Sequence, residues 1–380
     1  MAKPGRGVPP TLTYACPVTP ADLSRTVLHA VRRAVDEDAL HAPVPPRVRV
    51  ERTRPGGSGD YACAVALQLA GPAALPALEV ARILRDRVAA EPGVGRVEIT
   101  GPGFLSFTLA APAESDRAVL TAVREQGLAY GHGDALRDRI FQFHHAREVR
   151  AAVTAHAVRR LVLAQGARVR TSCEAEPDPD WARLGVTVDA YGTPPAPLTG
   201  IRPVPAGATA AELLERLGPD AARWGLLRAA GHDRAALGPD LLVQGEANPL
   251  FRVRYAHARV RALTRGAAAL GFTAETPARG EDPAAHLAHH PAARPLLDLI
   301  ADHPGVLLAG ARHRAPDRVA RQLEAVAHAF FDFHDACPPL PAGDEKPSAA
   351  HRSRLALAEA AGTVLAGGLS LLGIRAPEHL

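Results

Sequence analysis

The feature that most constrains this chain is a change of hydrophobic period near Thr209. Before it, helical and strand patterns alternate. Thr19-Pro20-Ala21-Asp22 reads as a capping box with proline at the first helical position, and Leu23, Val27, Val31 and Val35 then recur at i+4, predicting a helix to about Leu40. RVRVER (47–52) alternates as a strand, and a second helix from about Pro76 carries Val80, Ile83, Leu84 and Val88 on one face. VGRVEIT and FLSFTLA read as strands joined by the turn Gly101-Pro102-Gly103, and a helix over 112–127 closes the unit. After Thr209 the pattern is helical throughout. TAAELLERLG and DAARWGLLRAAG are two short amphipathic helices, a long segment follows with an interruption near Pro249, and 296–308, 318–336 and 348–372 complete an all-α bundle. One chain thus encodes cores of two classes.

The middle belongs to neither. Residues 172–207 are proline-dense and read as short strands, turns and a linker. The expected fold class is therefore an α/β N-terminal domain (18–130), a shortened α/β segment with its linker (138–205) and an all-α helical bundle (208–380).

Composition excludes several classes. With 47% hydrophobic and 22% charged residues the chain is not disordered as a whole, and no apolar run approaches the roughly 18 uninterrupted residues of a membrane span. Lys3 and Arg6 have no apolar stretch behind them, so no secretory signal is read and a cytoplasmic protein is expected. Cys16, Cys63, Cys173 and Cys337 form no CxxC pair, which argues against a zinc ribbon or a disulfide framework.

Charge placement says more than the net +4. Residues 147–170 carry Arg147, Arg150, Arg159, Arg160, Arg168 and Arg170 against one acid, Glu148, and residues 247–274 carry Arg252, Arg254, Arg259, Arg261 and Arg265 against none. Two basic stretches in an otherwise balanced chain suit separated contacts to one extended polyanion, although solvated helix faces would look the same. No metal site is expected. His144 and His145 are adjacent and point apart, and His286, His289 and His290 have no carboxylate or cysteine partner in register.

"GDYACAVALQLA" followed by "EVARILRDRVAAEPGVGRVEITGPGFLSFTLA" resembles the N-terminal domain of arginyl-tRNA synthetases. "LGPDAARWGLLRA", "NPLFRVRYAHARVRAL", "AHAFFDFHDAC" and "LSLLGIRAPEHL" resemble that family's C-terminal anticodon-binding domain, known by its DALR signature. The resemblance covers nearly all of the chain except the middle. There the family's catalytic core would carry a HIGH-like motif and a KMSKS-like loop. At those places the sequence reads His144-His145-Ala146-Arg147, with neither the HxGH spacing nor its glycine, and Leu198-Thr199-Gly200-Ile201-Arg202-Pro203, with no lysine. No lysine occurs between Lys3 and Lys346. The resemblance therefore implies non-catalytic tRNA binding, arginine tRNA being the favoured partner, with no catalytic residues and no cofactor. An active arginine–tRNA ligase, an aminoacyl-tRNA-using enzyme of a small-molecule pathway, or a protein-interaction module without RNA affinity are the alternatives.

Site residues follow from the same resemblance. The GPGFLSF segment reads a D-loop base in the family, so Phe104 is the expected stacker and Ser106 the expected hydrogen-bonding group. Arg147 and Arg150 are expected on phosphates. Tyr255 with Arg252, Arg254, His257, Arg259 and Arg261, the helix carrying Phe330, Phe333 and His334, and the terminal Leu380 are expected to surround the anticodon. Phe330 and Phe333, at i and i+3 on an apolar face, also read as plain core.

Overall fold

A computed structural model describes residues 20–53, 58–89, 91, 94–109, 112–194, 196, 198–275 and 290–380. Thr19, Cys16, His286 and His289 therefore lie outside the described residues. The chain divides into two compact units, 1–115 and 116–380.

The first unit is an antiparallel sheet covered by helices. Helix α1 (Pro20–Asp36) ends before Leu40, where Asp38 turns the chain at φ 59°. Strands β1 (Val50–Arg52), β2 (Tyr61–Cys63), β3 (Val94–Thr100) and β4 (Phe104–Leu109) form the order β1-β2-β4-β3. Between β2 and β3 run α2 (Val65–Ala73) and α3 (Ala77–Ala89). The apolar sequence after Tyr61 is thus mostly helix. Leu23, Val27 and Val31 of α1 and Val80, Leu84 and Val88 of α3 are buried in one cluster with Leu105 and Phe107 of β4. Helix α4 (Pro112–Gln126) forms where the sequence predicts a helix, but it does not close the first unit: from Asp116 it belongs to the second, and Val119, Leu120 and Val123 are buried in that unit's core.

After α4 the second unit forms a parallel sheet. Strand β5 (Ile140–His145) leads through α5 (Val149–Ala164) to β6 (Arg168–Cys173), and the short strands β7 (Ala190–Tyr191) and β8 (Thr199–Ile201) complete the order β7-β6-β5-β8. Every pairing is parallel. Phe141, Phe143, Val169 and Cys173 face α5 and the core. On the other face Ile140, Gln142, Arg168 and Arg170 are exposed. With β5 central and β6 and β8 on opposite sides, the strand order reverses between β5 and β8, the point where open α/β sheets hold ligands.

The rest is helical: α6 (Ala210–Arg228), α7 (Pro249–Ala269), α8 (Ala293–His313), α9 (Asp317–Ala336) and α10 (Ala349–Leu372). The two short helices expected after Thr209 are the two halves of α6, broken at Gly218 (φ 70°) and opened by a Thr209/Glu212 capping box. The long segment is not interrupted at Pro249. It begins there, because the Asn248 side chain accepts from Leu250 N and Phe251 N and donates to the carbonyls of Leu241 and Val243. Helix α10 is apolar enough to cross a membrane by composition, yet 72% of that stretch is buried, as befits the central helix of a bundle. Phe143, Val153 and Leu161 share one core with Trp224, Leu323 and Leu365, so the short sheet and the bundle are packed as one body.

Candidate nucleic-acid interface

At the carboxyl ends of β5 and β8 the start of α5 is tied to the segment that follows β8. A helix N-terminus at such a point attracts an anion through its free N–H groups and its dipole. At the start of α5 that anion is Glu148. Its Oε2 accepts from Ala151 N at 2.8 Å, and its Oε1 accepts from Ala206 N at 2.9 Å in the segment after β8.

Beside it Arg150, only 1% exposed, donates from all of its guanidinium hydrogens. Nε reaches Leu226 O at 3.0 Å, Nη1 reaches Val204 O at 2.9 Å and Asp233 O at 2.6 Å, and Nη2 reaches Ala229 O at 3.1 Å and Ala230 O at 3.0 Å. The expectation of Arg150 on a phosphate is therefore corrected: its donors are spent on a carbonyl cage that ties α5 to the segment before α6 and to the C-terminal end of α6. Arg147 stays exposed and donates from Nε to Glu176 O at 2.7 Å.

The two histidines are structural in this fold. His145 is buried, donates from Nδ1 to Ala146 O at 2.9 Å and tilts against Trp181, and burial lowers its pKa below the ordinary value. His144 pairs with Ser172 Oγ at 2.9 Å across β5 and β6. The segment expected to stand for a KMSKS-like loop forms β8 and its exit, with Arg202 paired to Glu174 at 3.3 Å.

An open aromatic surface lies elsewhere, on α7 and α9. Phe251 stacks on Tyr255 with ring centroids 5.6 Å apart and planes 6° from parallel, and Tyr255 stacks on Phe331 at 5.5 Å and 23°. Tyr255 is 42% exposed. The side chains of Arg252 and Arg259, one turn to either side on α7, make no hydrogen bond or ion pair among the described residues. Phe333 is corrected: with Val319, Leu323, Val326 and Phe330 it follows the 4-3-4-3 spacing of the buried stripe of α9 and is fully inside. Phe331, one residue off that stripe, is the ring turned toward Tyr255, and the sequence reading missed it.

Two further arginines of α7, Arg261 and Arg265, and His257 meet the C-terminal tail. His257, buried, meets Pro377 O at 2.9 Å through Nδ1, Arg261 pairs with Glu378 at 3.0 Å, and Arg265 lies 3.4 Å from His379 Nδ1. His257 is thus a support for the tail, which corrects its placement among exposed contacts. Asp220, the first residue of the DAAR sequence, accepts from Arg375 N at 3.3 Å and Arg375 Nε at 3.0 Å and lies 3.9 Å from Arg254. Leu380, exposed, ends the tail, and His334 is half-buried against Phe330.

In the first unit, the hairpin turn offers one ring. Phe104 is 37% exposed at the start of β4, just after Gly101 (φ 53°) and Gly103 (φ 135°), positions that a side chain would strain. Gly103 is doubly required, because a Cβ there would sit 3.1 Å from Ala77. Ser106 is corrected: it is buried, and its hydroxyl shares a 2.9 Å hydrogen bond with Thr100 Oγ1.

Known proteins carry the same parts. Residues 22–109 match the arginyl tRNA synthetase N terminal domain, and residues 253–380 match the DALR anticodon binding domain. An arginine–tRNA ligase of Frankia alni is 27% identical over 558 residues, covering 96% of this chain and 100% of that protein. One of Pseudarthrobacter chlorophenolicus is 40% identical over 171 residues, which is 44% of this chain and 30% of that protein. Among solved structures, the arginyl-tRNA synthetase of Thermus thermophilus is similar with a TM-score of 0.65 at 15% identity, covering 95% of this chain and 100% of that one. That of Plasmodium falciparum gives 0.63 at 9% identity, covering 96% and 100%.

Proposed function

We propose that this chain, which has the arginyl-tRNA synthetase fold and carries that family's N-terminal and DALR anticodon-binding domains, binds tRNA without charging it. The observation that carries the second half of the reading is Glu148. A carboxylate caps the first turn of α5 through Ala151 N, at the helix end where an ATP phosphate would bind, and its charge disfavours a second anion there.

Three further observations support it. No lysine lies between Lys3 and Lys346 to meet a phosphate. The parallel sheet has four strands, two of them of three residues or fewer, and one helical crossover between β5 and β6. The Frankia relative aligns over 558 residues against 380 in this chain, so a large part of that enzyme has no counterpart here.

For binding, Tyr255 supplies a stacking face for an unpaired base, extended by Phe251 and Phe331, and Arg252 and Arg259 supply unpaired charge for the phosphates beside it. Phe104 offers a second stacking face, and the tail ending at Leu380 borders the α7 surface. Arginine tRNA is the favoured partner by the identity of the relatives. Titration with arginine tRNA at two salt concentrations tests the reading, because binding through several phosphates weakens steeply as salt rises. No binding at low salt overturns it.

A working arginine–tRNA ligase is the second reading, favoured by similarity to the Frankia enzyme along that enzyme's whole length. It requires a nucleotide site other than the first turn of α5 as it stands.

A further inference from the structure

We infer that the bare face of the β5–β6 sheet is a second RNA-binding surface, one that takes the phosphodiester backbone of an RNA strand; this rests on the proposed tRNA binding. The starting point is an architectural anomaly. All-parallel sheets occur almost only with both faces covered, and their strands are then apolar on both sides. Here only the face toward α5 is apolar. On the other, Ile140, Gln142, Arg168 and Arg170 are exposed in cross-strand register, Ile140 beside Arg168 and Gln142 beside Arg170.

Polarity argues against a missing apolar layer. Of those four side chains only Ile140 is hydrophobic, so a helix packed there would strand two guanidinium groups out of water. Charge argues for a polyanion. Several other cations around this sheet have acidic partners: Arg137 with Asp134, Arg159 with Asp189, Arg183 with Asp180, and Arg202 with Glu174, while the exposed Arg147 meets a backbone carbonyl, that of Glu176. Arg168 and Arg170 have no acidic partner among the described residues. Glu174, at the exit of β6, is held by Arg202 and does not neutralise them.

Geometry suits successive phosphates. Residues i and i+2 of a strand stand on one face about 6.6 Å apart, so the two guanidinium groups form a row along β6. Gln142 beside Arg170 adds a neutral donor to the row; farther along the same face His144 is buried and bonded to Ser172, and the open part of the face ends there. Among the described residues no phenylalanine, tyrosine or tryptophan lies on this face, since Tyr191 pairs with Cys173 in the opposite phase, and the imidazole of His144 is buried. The face therefore reads backbone charge rather than bases, and complements the stacking surface around Tyr255.

The test compares the full chain with Arg168→Gln/Arg170→Gln and with Arg252→Gln/Arg259→Gln, using arginine tRNA as the probe at 50 and 200 mM salt. Both substituted pairs are surface residues, and unfolding midpoints check that the variants remain native. Losing two phosphate contacts is expected to weaken binding about tenfold at low salt and to flatten the dependence of log affinity on log salt by about 1.5 to 2 units. Wild-type affinity and slope in Arg168→Gln/Arg170→Gln, with a clear loss in the α7 variant, would overturn this inference, assign the sheet face to a protein layer and leave tRNA binding standing. No binding by the wild-type chain would overturn both.

Discussion

Arg223 donates twice to the carbonyl of Leu372, from Nε at 2.9 Å and from Nη2 at 2.7 Å. It also reaches Leu184 O at 2.5 Å, and it is almost fully buried. The arginine of the DAAR sequence thus fastens the end of α10 to α6 and to the turn after β6, while its neighbour Asp220 holds Arg375 in the tail. The signature that marks this domain type is here a latch for the C-terminal segment.

Removing that latch destabilises the unit. Arg223→Leu leaves the Leu372 and Leu184 carbonyls buried without donors, at about 1 to 3 kcal/mol each, and urea unfolding is expected to show a loss of about 2 to 5 kcal/mol. Gly373→Ala has the same direction, because Gly373 sits at φ 73° and a Cβ there would lie 2.5 Å from Arg223. A variant of wild-type stability at either position refutes the latch.

Glu148→Ala removes the cap of α5 and the tie to Ala206. A lost N-cap costs about 1 kcal/mol, and the second hydrogen bond raises the expected loss to about 2 kcal/mol in thermal or urea unfolding. Loss of less than 0.5 kcal/mol, roughly the spread of neutral surface changes, indicates that this carboxylate does not tie the start of α5 to the segment after β8.

Tyr255 and Phe333 separate binding from folding. Tyr255→Ala is expected to weaken tRNA binding by about 1 to 3 kcal/mol, the usual worth of one base–aromatic stack, with little change in stability. Phe333→Ala is expected to cost about 3 to 5 kcal/mol of stability, because the ring is fully inside the α9 stripe. The reverse pattern defeats the assignment of the two rings.

Acid sensitivity follows from two buried histidines. Burial, with Arg223 alongside, lowers the pKa of His156 from 6.5 to about 3, and burial lowers that of His303 to about 4. The unfolded chain takes up protons at these residues below about pH 6.5 and the folded one does not. Stability is therefore full above that pH and is lost as pH falls toward 4 and then 3, by up to about 1.4 kcal/mol per unit for each histidine. Urea midpoints between pH 7 and 4 measure the slope, and His303→Gln is expected to reduce it. An unchanged slope in that variant contradicts the burial of a neutral imidazole.

Much of this was legible in the sequence, and the failures have physical causes. The i+4 repeat of α1, the Gly-Pro-Gly hairpin and the two halves of α6 were readable because each depends on local pattern. Arg150 was not, since the carbonyls that enclose it come from Val204, Leu226, Ala229, Ala230 and Asp233, far along the chain. A buried arginine in a basic run looks like an exposed one until the cage is seen. Phe331 could have been found: the buried stripe of α9 uses 319, 323, 326, 330 and 333, and a ring at 331 falls off it. Ser106 was misread because its hydroxyl is claimed by Thr100 of the facing strand, a partner that only the register reveals.

The most direct test of the central claim is arginine-dependent ATP/pyrophosphate exchange, measured on the full chain with arginine tRNA present. Exchange at the level of the blank, from protein that binds the tRNA, is the predicted result. Exchange that requires arginine and rises in proportion to protein would show a working adenylation site and contradict the account.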